Sequence, residues 1–252
     1  MDNKERFTNK AKAYTLGRSS YADSFIDYIF SALGFSSQSQ VADIGSGTGK
    51  FSKQLLEKGC TVFCVEPNDD MRLVAENELQ GYKNFISVNG DATNTKLADN
   101  SVDFVTAAQS FHWFDVKKFA LECERILKCN GKVLLIWNSR DMQFEINKEI
   151  FALNMKFCPE FKGFSAGMTP DDERINLFFD GKYDKATFPN PQFCDEVRFT
   201  NRLLSSSYSL KPQDKNYSEY LNEIKRIFNK FQSDGVVRLE NSTNVYIGKP
   251  DF

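Results

Sequence analysis

Histidine is nearly absent: His112 is the only one in 252 residues. The six cysteines are Cys60, Cys64, Cys123, Cys129, Cys158 and Cys194, and no two form a C-x-x-C pair. A structural zinc site needs about four clustered thiolate or imidazole ligands. This spacing offers none, so no metal is expected, and the cysteines read as reduced, mostly buried thiols. A charge excess is lacking too: 32 Lys and Arg against 34 Asp and Glu leave a formal net charge of −2. Sequence-neutral nucleic-acid binders usually show a basic stripe, and none is visible, so no nucleic-acid partner is expected. No apolar run approaches the roughly 18 residues of a membrane span. The polar opening MDNKERFTNKAKAY lacks the apolar stretch of a secretion signal. The expectation is a cytoplasmic protein with no membrane partner.

What is present is a strand–helix rhythm from residue 19 to about 137. Tyr21, Phe25, Tyr28, Ile29, Ala32 and Leu33 mark an amphipathic helix. QVADIG is a buried strand ending in glycine, and Thr48 to Lys58 is a helix with Phe51, Leu55 and Leu56 on one face. TVFCVEP is strand two, stopped by Pro67; Asp69 reads as the N-cap of a helix carrying Met71, Val74, Ala75 and Leu79. NFISVNG and SVDFVTAA are strands three and four. Val116, Phe119, Ala120, Cys123, Ile126 and Leu127 form a helical stripe ended by Lys128, Asn130 and Gly131, and KVLLIWN is strand five. Such alternation means βαβ units, a parallel sheet and helices on both faces.

The rhythm breaks after Arg140. Ile146, Ile150, Leu153 and Phe157 suit a helix. A second helix is expected from Thr169 as N-cap and Pro170 in the first turn, with Asp171, Asp172 and Glu173 near its positive end, stopping at Asp180-Gly181. KATFPN and EVRFTNRLL read as short strands. A structureless loop this long is unusual in a compact domain, so 141–204 is expected to be an inserted lid with a Phe-rich apolar interior. Tyr217, Tyr220, Leu221, Ile224, Ile227, Phe228 and Phe231 then form an amphipathic helix. VVRLE and NVYIGK read as a closing antiparallel hairpin. The core is therefore expected at 1–140 and 205–252.

The central motif is Asp43-Ile44-Gly45-Ser46-Gly47-Thr48-Gly49, where strand one turns into a helix. Glycines there let the backbone approach a ligand, and a helix start offers N–H groups. A phosphate-binding P-loop fails twice: Phe51 stands where Ser or Thr should bind magnesium, and Ile44 where the first glycine should be. The dinucleotide fingerprint wants glycine where Lys50 stands, which disfavours an NAD-dependent oxidoreductase. Glu66 ends strand two, where an acid can accept both ribose hydroxyls of an adenosyl group. Asp91 follows strand three, where it can accept a hydrogen bond from an adenine amino group. Ligands bind outside the carboxyl ends of strands where strand order reverses, and these residues all fall there.

These residues resemble the class I S-adenosylmethionine-dependent methyltransferase family. VADIGSGTGKFS looks like its first motif, VEPNDDM its second, and NGDATNTKLADNSVDFVTAAQSFHWFD its third and fourth. The AQSFHWFD run, the Phe7…Tyr14…Arg18…Tyr21 pattern and the closing NVYIGKP resemble a small-molecule branch that includes trans-aconitate-type methyltransferases. The resemblance implies an α/β doubly wound, mostly parallel sheet of seven strands in the order 3-2-1-4-5-7-6, with strand seven antiparallel. It implies S-adenosyl-L-methionine as cofactor, with Asp43, Gly45, Ser46 and Gly47 near its methionine part and Glu66 and Pro67 at the ribose. Asp91, Ala92 and Met71 would lie near adenine, Gln109 after strand four, and Arg18 at the cofactor carboxylate. Tyr14, Tyr21, His112 and Trp113 would face the acceptor. Strand four ends in Ala107-Ala108-Gln109-Ser110 rather than the Asn-Pro-Pro-Tyr type of base-methylating enzymes, which argues against DNA or RNA bases as the acceptor; the small-molecule acceptor is what the resemblance to that branch implies.

Methyl transfer from a sulfonium is an in-line displacement. Alignment and exclusion of water can supply up to roughly 7–11 kcal/mol of the barrier. A base is needed only if the acceptor holds a proton, and His112 is the one candidate titrating near neutrality; its alternative role is to pack or order its turn. A cofactor-binding regulatory protein of the same fold, catalytically silent, is the competing reading, since the chemistry needs few side chains.

Overall fold

Strands that are covered on both faces need near-continuous apolar runs, and QVADIG supplies one. It forms β1 (Gln40–Ile44), whose residues 41–44 are all buried. The computed structural model describes residues 20–167 and 172–250. Parallel to β1 run β2 (Thr61–Val65) on one side and β4 (Val102–Ala108) on the other; β3 (Phe85–Val88) pairs with β2, and β5 (Leu127–Arg140) with β4. β9 (Asn241–Gly248) lies antiparallel between β5 and β6 (Tyr183–Pro189), completing a seven-stranded sheet in the order β3-β2-β1-β4-β5-β9-β6. The single reversed strand in the sixth position across the sheet is as expected.

Helices cover both faces. α1 (Asp23–Ala32), α2 (Lys50–Glu57) and α3 (Asp69–Leu79) bury Phe25, Ile29, Leu55 and Leu79 on one face of the sheet. On the other, α4 (Val116–Ile126) packs Phe119, Cys123 and Ile126 against Val105, Leu135 and Trp137. Helix boundaries differ from expectation in three places; α2, expected over Thr48 to Lys58, starts at Lys50 after Gly49 and ends at Glu57. α3 is capped by Asn68, whose side chain accepts the Met71 N–H at 3.0 Å, so Asp69 is its first residue and not its cap. α4 ends at Ile126, and β5 starts at once at Leu127 opposite Val102, ahead of the expected stop at Lys128-Asn130-Gly131.

The larger corrections lie beyond Arg140. α5 (Glu145–Phe157) is the expected helix. α6 (Glu173–Phe179) is capped by Asp172, which accepts the Arg174 N–H, so the expected Thr169 cap is not the one used; residues 169–171 lie outside the described residues. α6 belongs to the sheet layer: Ile175, Phe178 and Phe179 join the α4 cluster. KATFPN is a strand, but as β6 it is the edge of the main sheet rather than part of an insertion. EVRFTNRLL is α7 (Glu196–Leu204), a helix capped by Asp195, with Phe199 and Leu203 buried four apart on one face. VVRLE does not pair with NVYIGK. β8 (Val237–Leu239) pairs with β7 (Gln192–Cys194) in a separate ribbon. Glu240 alone separates β8 from β9, fewer residues than a hairpin loop needs.

α8 (Tyr217–Phe231) also leaves the sheet. Its Tyr220, Ile224, Ile227 and Phe228 bury against Ile150, Leu153, Phe199 and Leu203 in a third apolar cluster, distinct from the two that flank the sheet. The cap is thus α5, α7, α8 and the β7–β8 ribbon, around its own core. The Phe side chains of 144–199 divide accordingly. Phe157, Phe161 and Phe199 are cap core, Phe178 and Phe179 are sheet core, and Phe144 and Phe193 are exposed. Among the described residues no helix is long and apolar enough to cross a membrane.

A separate core makes a separate stability unit. Phe199 is fully buried, with its ring 5.8 Å from that of Phe228. Phe199→Ala is expected to cost about 3–5 kcal/mol, localised to the cap. In hydrogen exchange the amides of α5, α7 and α8 should lose protection while β1, β2 and β4 keep theirs. Uniform loss across both would show one cooperative unit instead.

Candidate functional site

The turn after β1 is built by glycine. Gly45 has φ +67, and a Cβ there would stand 2.6 Å from the Ser110 Cβ; its N–H donates to the Val65 carbonyl at 2.8 Å. Ser110 Oγ in turn donates to the Ile44 carbonyl at 2.6 Å, so the ends of β1 and β4 are tied together across this missing side chain. Gly47 also has positive φ, +58, but a Cβ there would meet no atom within 4 Å. It faces the open cavity described below. Beside it Thr48 Oγ1 is buried, with no hydrogen-bond partner among the described residues.

Three carboxylates stand at successive strand ends, each with different work. Asp43 is 1% exposed and accepts hydrogen bonds from Ser52 Oγ at 2.6 Å and Thr106 Oγ1 at 2.9 Å, linking β1, α2 and β4. Glu66 receives one backbone N–H on each oxygen: Gly47 on Oε2 and Asn68 on Oε1, both at 2.9 Å. Burial raises its pKa against the lowering pull of those two N–H groups and of Arg72. Asp91 Oδ1 accepts from the Thr93 N–H, the Thr93 hydroxyl and the Asn94 N–H, which knits the turn at 91–94.

Burial lifts the Asp43 carboxyl from 3.8 to about 6, the two hydroxyl donors only partly offsetting it. The folded value lies above the unfolded one. Between those values the folded chain holds more protons, so stability is greatest below the lower value and falls as pH rises through the upper one. The loss amounts to about 3 kcal/mol at most, at 1.36 kcal/mol per pH unit. Asp43→Asn should remove this component. Denaturant unfolding at about pH 4 and about pH 7 should then show a smaller fall in the variant than in the wild-type protein; equal falls would refute the assignment.

One cavity of about 910 Å³ holds nearly every candidate. Asp43, Gly45, Ser46, Gly47, Glu66, Pro67, Met71, Asp91, Ala92 and Gln109 line it, as do Tyr21, His112 and Trp113. Tyr14 and Arg18 lie outside the described residues. Gln109 sits just past β4 with φ +61, a strained value for a residue with a side chain, and its Nε2 donates to the Asn138 carbonyl at 3.0 Å. Trp137 Nε1–H donates to His112 Nδ1 at 3.4 Å. A neutral imidazole that accepts at Nδ1 carries its proton on Nε2. The cavity also includes residues that strand-end reasoning passed over: Asn138 and Arg140 at the end of β5, and Lys162, Phe164, Arg202 and Tyr208 from the cap. β5 ends at the same sheet edge as β4, so Asn138 and Arg140 were within reach of that logic. The cap residues had no such signal.

Residues 42–135 match the model of a methyltransferase domain. An uncharacterized methyltransferase of Mycobacterium tuberculosis is 36% identical over 135 residues, 54% of this chain and 53% of the relative. One from Schizosaccharomyces pombe is 32% identical over 136 residues, 54% and 52% of the two chains. The matched stretch therefore spans about half the length of these relatives. Among solved structures, a protein of Anaeromyxobacter dehalogenans assigned to the type II methyltransferases has a TM-score of 0.66 at 18% identity, covering 92% of this chain and 97% of that one. An Anabaena variabilis protein assigned as a methyltransferase of antibiotic biosynthesis has a TM-score of 0.63 at 22% identity, covering 88% and 96%. At those identities the likeness is one of fold. Sequence likeness to a methyltransferase domain thus runs from β1 into β5, on a fold shared with methyltransferase structures along nearly the whole chain.

Proposed function

We propose that the protein transfers a methyl group from S-adenosylmethionine to a small-molecule acceptor held beneath the cap. The observation that carries this is the single cavity, continuous from the glycine turn and Glu66 to the cap residues Phe164 and Tyr208. The residues fit the cofactor. Gly47 leaves open the space a side chain would fill, and Thr48 Oγ1 is a buried hydroxyl in want of a partner. Each Glu66 oxygen holds a single backbone N–H and keeps capacity for a ribose hydroxyl. Met71 and Pro67 supply apolar surface for the base, and Asp91 and Ala92 line the same cavity. Asp43 acts mainly as a brace under the loop. When bound, the cofactor supplies a methyl group on a sulfonium, already a good leaving group. The chain's part is to align the acceptor with it and exclude water. The end of β4 at Ala108-Gln109-Ser110 argues against a nucleic-acid base as the acceptor.

The direct test is calorimetric titration with S-adenosylhomocysteine and with NAD, followed by labelled methyl transfer into a cell extract. Binding of the first ligand alone, with labelled product, is the expected result. NAD binding in its place would overturn the reading, and binding without any product would favour the catalytically silent alternative.

His112 serves in this site as a donor rather than a base. Its Nδ1 accepts the Trp137 N–H, which leaves the proton of the neutral ring on Nε2. His112 is the only histidine, so its two ¹⁵N resonances need no assignment; the neutral form is expected to be the Nε2–H tautomer. His112→Ala should lower turnover by about 10- to 100-fold with S-adenosylhomocysteine affinity unchanged. His112→Gln, whose amide can still donate, should recover most of it. A Gln variant as slow as Ala would point to proton abstraction.

A further inference from the structure

Parallel strands are usually joined through a helix, and three of the four connections from β1 to β5 contain one: α2, α3 and α4. The described residues 89–101, which cross from β3 past β2 and β1 to β4, contain none. A helix satisfies its own backbone, whereas an irregular crossover needs partners from elsewhere. Here the second half of α4 supplies them. Glu122 Oε1 accepts the Thr95 N–H at 2.7 Å and the Thr95 hydroxyl at 2.6 Å. Arg125 forks onto Glu122, Nη2 to Oε1 at 2.7 Å and Nε to Oε2 at 2.9 Å. Its Nη1 donates to the Leu97 carbonyl at 2.8 Å and to Asp99 Oδ1 at 2.6 Å. The Arg125 and Ile126 carbonyls accept the Asn100 and Ser101 N–H groups.

Glu122 is 8% exposed, while the rest of the buried face of α4, Phe119, Ala120, Cys123 and Ile126, is apolar. A buried ion pair is often no more stable than an apolar replacement, so stability does not explain the acid. What it holds does. Thr95 is fully buried, and its carbonyl packs so closely on Gly90 that a Cβ there would stand 2.8 Å away. Asp91 and Asn94 exchange both backbone hydrogen bonds at 3.1 Å. Positions 90–95 therefore form one turn, and Asp91, Ala92 and Thr93 within it line the cavity.

We propose that Glu122, with Arg125 behind it, is a positioning residue for the cofactor's base: by pinning Thr95 it sets the 90–95 turn so that the pocket prefers adenine to other purines. This rests on the methyl-transfer reading above and adds how the base is chosen. Adenine presents an amino donor where hypoxanthine presents a carbonyl. An ionised Asp91 only accepts, so it favours the adenine edge. A hydrogen bond is lost by about 3.6 Å, so a turn displaced by a few tenths of an ångström gives up this choice before it gives up apolar contact.

The test is calorimetric titration of the full chain with S-adenosylhomocysteine and with S-inosylhomocysteine, its hypoxanthine counterpart. The wild-type protein should favour the first by about 10- to 150-fold, the range for a hydrogen bond to a charged group. In Glu122→Gln an amide nitrogen faces the donors of Thr95 or Arg125, and the turn is released. The preference should then shrink by about 10-fold, mostly through weaker S-adenosylhomocysteine binding, and the Thr95 amide should lose hydrogen-exchange protection. Thr95→Val keeps the buried shape but removes the hydroxyl bond to Glu122. It should move the preference the same way by less, and it carries the test if Glu122→Gln does not fold. Ile126→Val thins the same helix face without touching the turn. It should lower the thermal midpoint and leave the preference intact, as a merely structural Glu122 would. The proposal is overturned if each variant at 122 and 95 that folds keeps the wild-type preference, whether or not both affinities fall. It is overturned equally if the wild-type protein binds both ligands alike. Failure of S-adenosylhomocysteine itself to bind the wild-type protein would overturn the methyl-transfer reading instead.

Discussion

Glu66→Ala is expected to weaken S-adenosylhomocysteine binding by about 10- to 150-fold, the range for loss of hydrogen bonds to a charged group. The effect has two parts. Ribose hydroxyls lose their acceptor, and the loop that seats the ligand loses its anchor. Glu66 is 8% exposed, and its two oxygens take the N–H groups of Gly47 and Asn68. Truncation leaves both donors unanswered, at about 1–3 kcal/mol for each that stays buried, so the thermal midpoint should fall as well. Glu66→Gln is no rescue, since its amide nitrogen would face one of those two donors. Burial raises the Glu66 pKa, and the ionised form is the acceptor. Affinity should therefore decline with falling pH earlier than an ordinary carboxylate would dictate. Calorimetry across pH on wild type and Glu66→Ala checks both claims. A variant with an unchanged dissociation constant would remove Glu66 from the site.

Of the first five strands, β1, β2, β4 and β5 were legible because burial gives each an apolar run, while β3, an edge strand with no buried residue, was still legible from its Phe-Ile-Ser-Val stretch. Glu66 and Asp91 followed from their places at the ends of two of them. Beyond β5 legibility failed at two elements of partial burial. β6 is an edge strand with no fully buried residue, and its Asp184 and Lys185 suit an edge while hiding its membership in the sheet. α7 shows only Phe199 and Leu203 as a helical pair, and Val197 is left 70% exposed, so a β-branched, aromatic-containing run imitated a strand. Sequence adjacency misled at β8, which sits one residue before β9 yet pairs with β7. Arg202 reaches the cavity only because α7 and α8 pack on α5. No local pattern around it could say so, whereas His112 followed from the turn after β4.

Gly47 and Gly45 should fail in opposite ways, and the contrast separates ligand from scaffold. Both have positive φ, so any side chain costs about 1–2 kcal/mol at either position. At Gly45 a methyl group would also meet Phe114 Cζ at 3.3 Å and the Ser110 Cβ at 2.6 Å, the latter held by the bond from Ser110 Oγ to the Ile44 carbonyl. Gly45→Ala is therefore expected to lower stability by about 2–4 kcal/mol, the overpacking cost added to the backbone cost. Its cofactor affinity should fall only insofar as the β1 and β4 ends move apart. At Gly47 the added Cβ meets no protein atom. Gly47→Leu should thus fold with little more than the backbone penalty, and the new side chain would enter the cavity where the loop approaches the ligand. Overlap with a bound molecule that cannot move aside should cost about 100-fold or more in S-adenosylhomocysteine affinity. Denaturation and calorimetry on the two variants read the two quantities separately. If Gly47→Leu melts like the wild-type protein and also binds like it, the 45–49 turn does not seat the cofactor, however well its shape suits one.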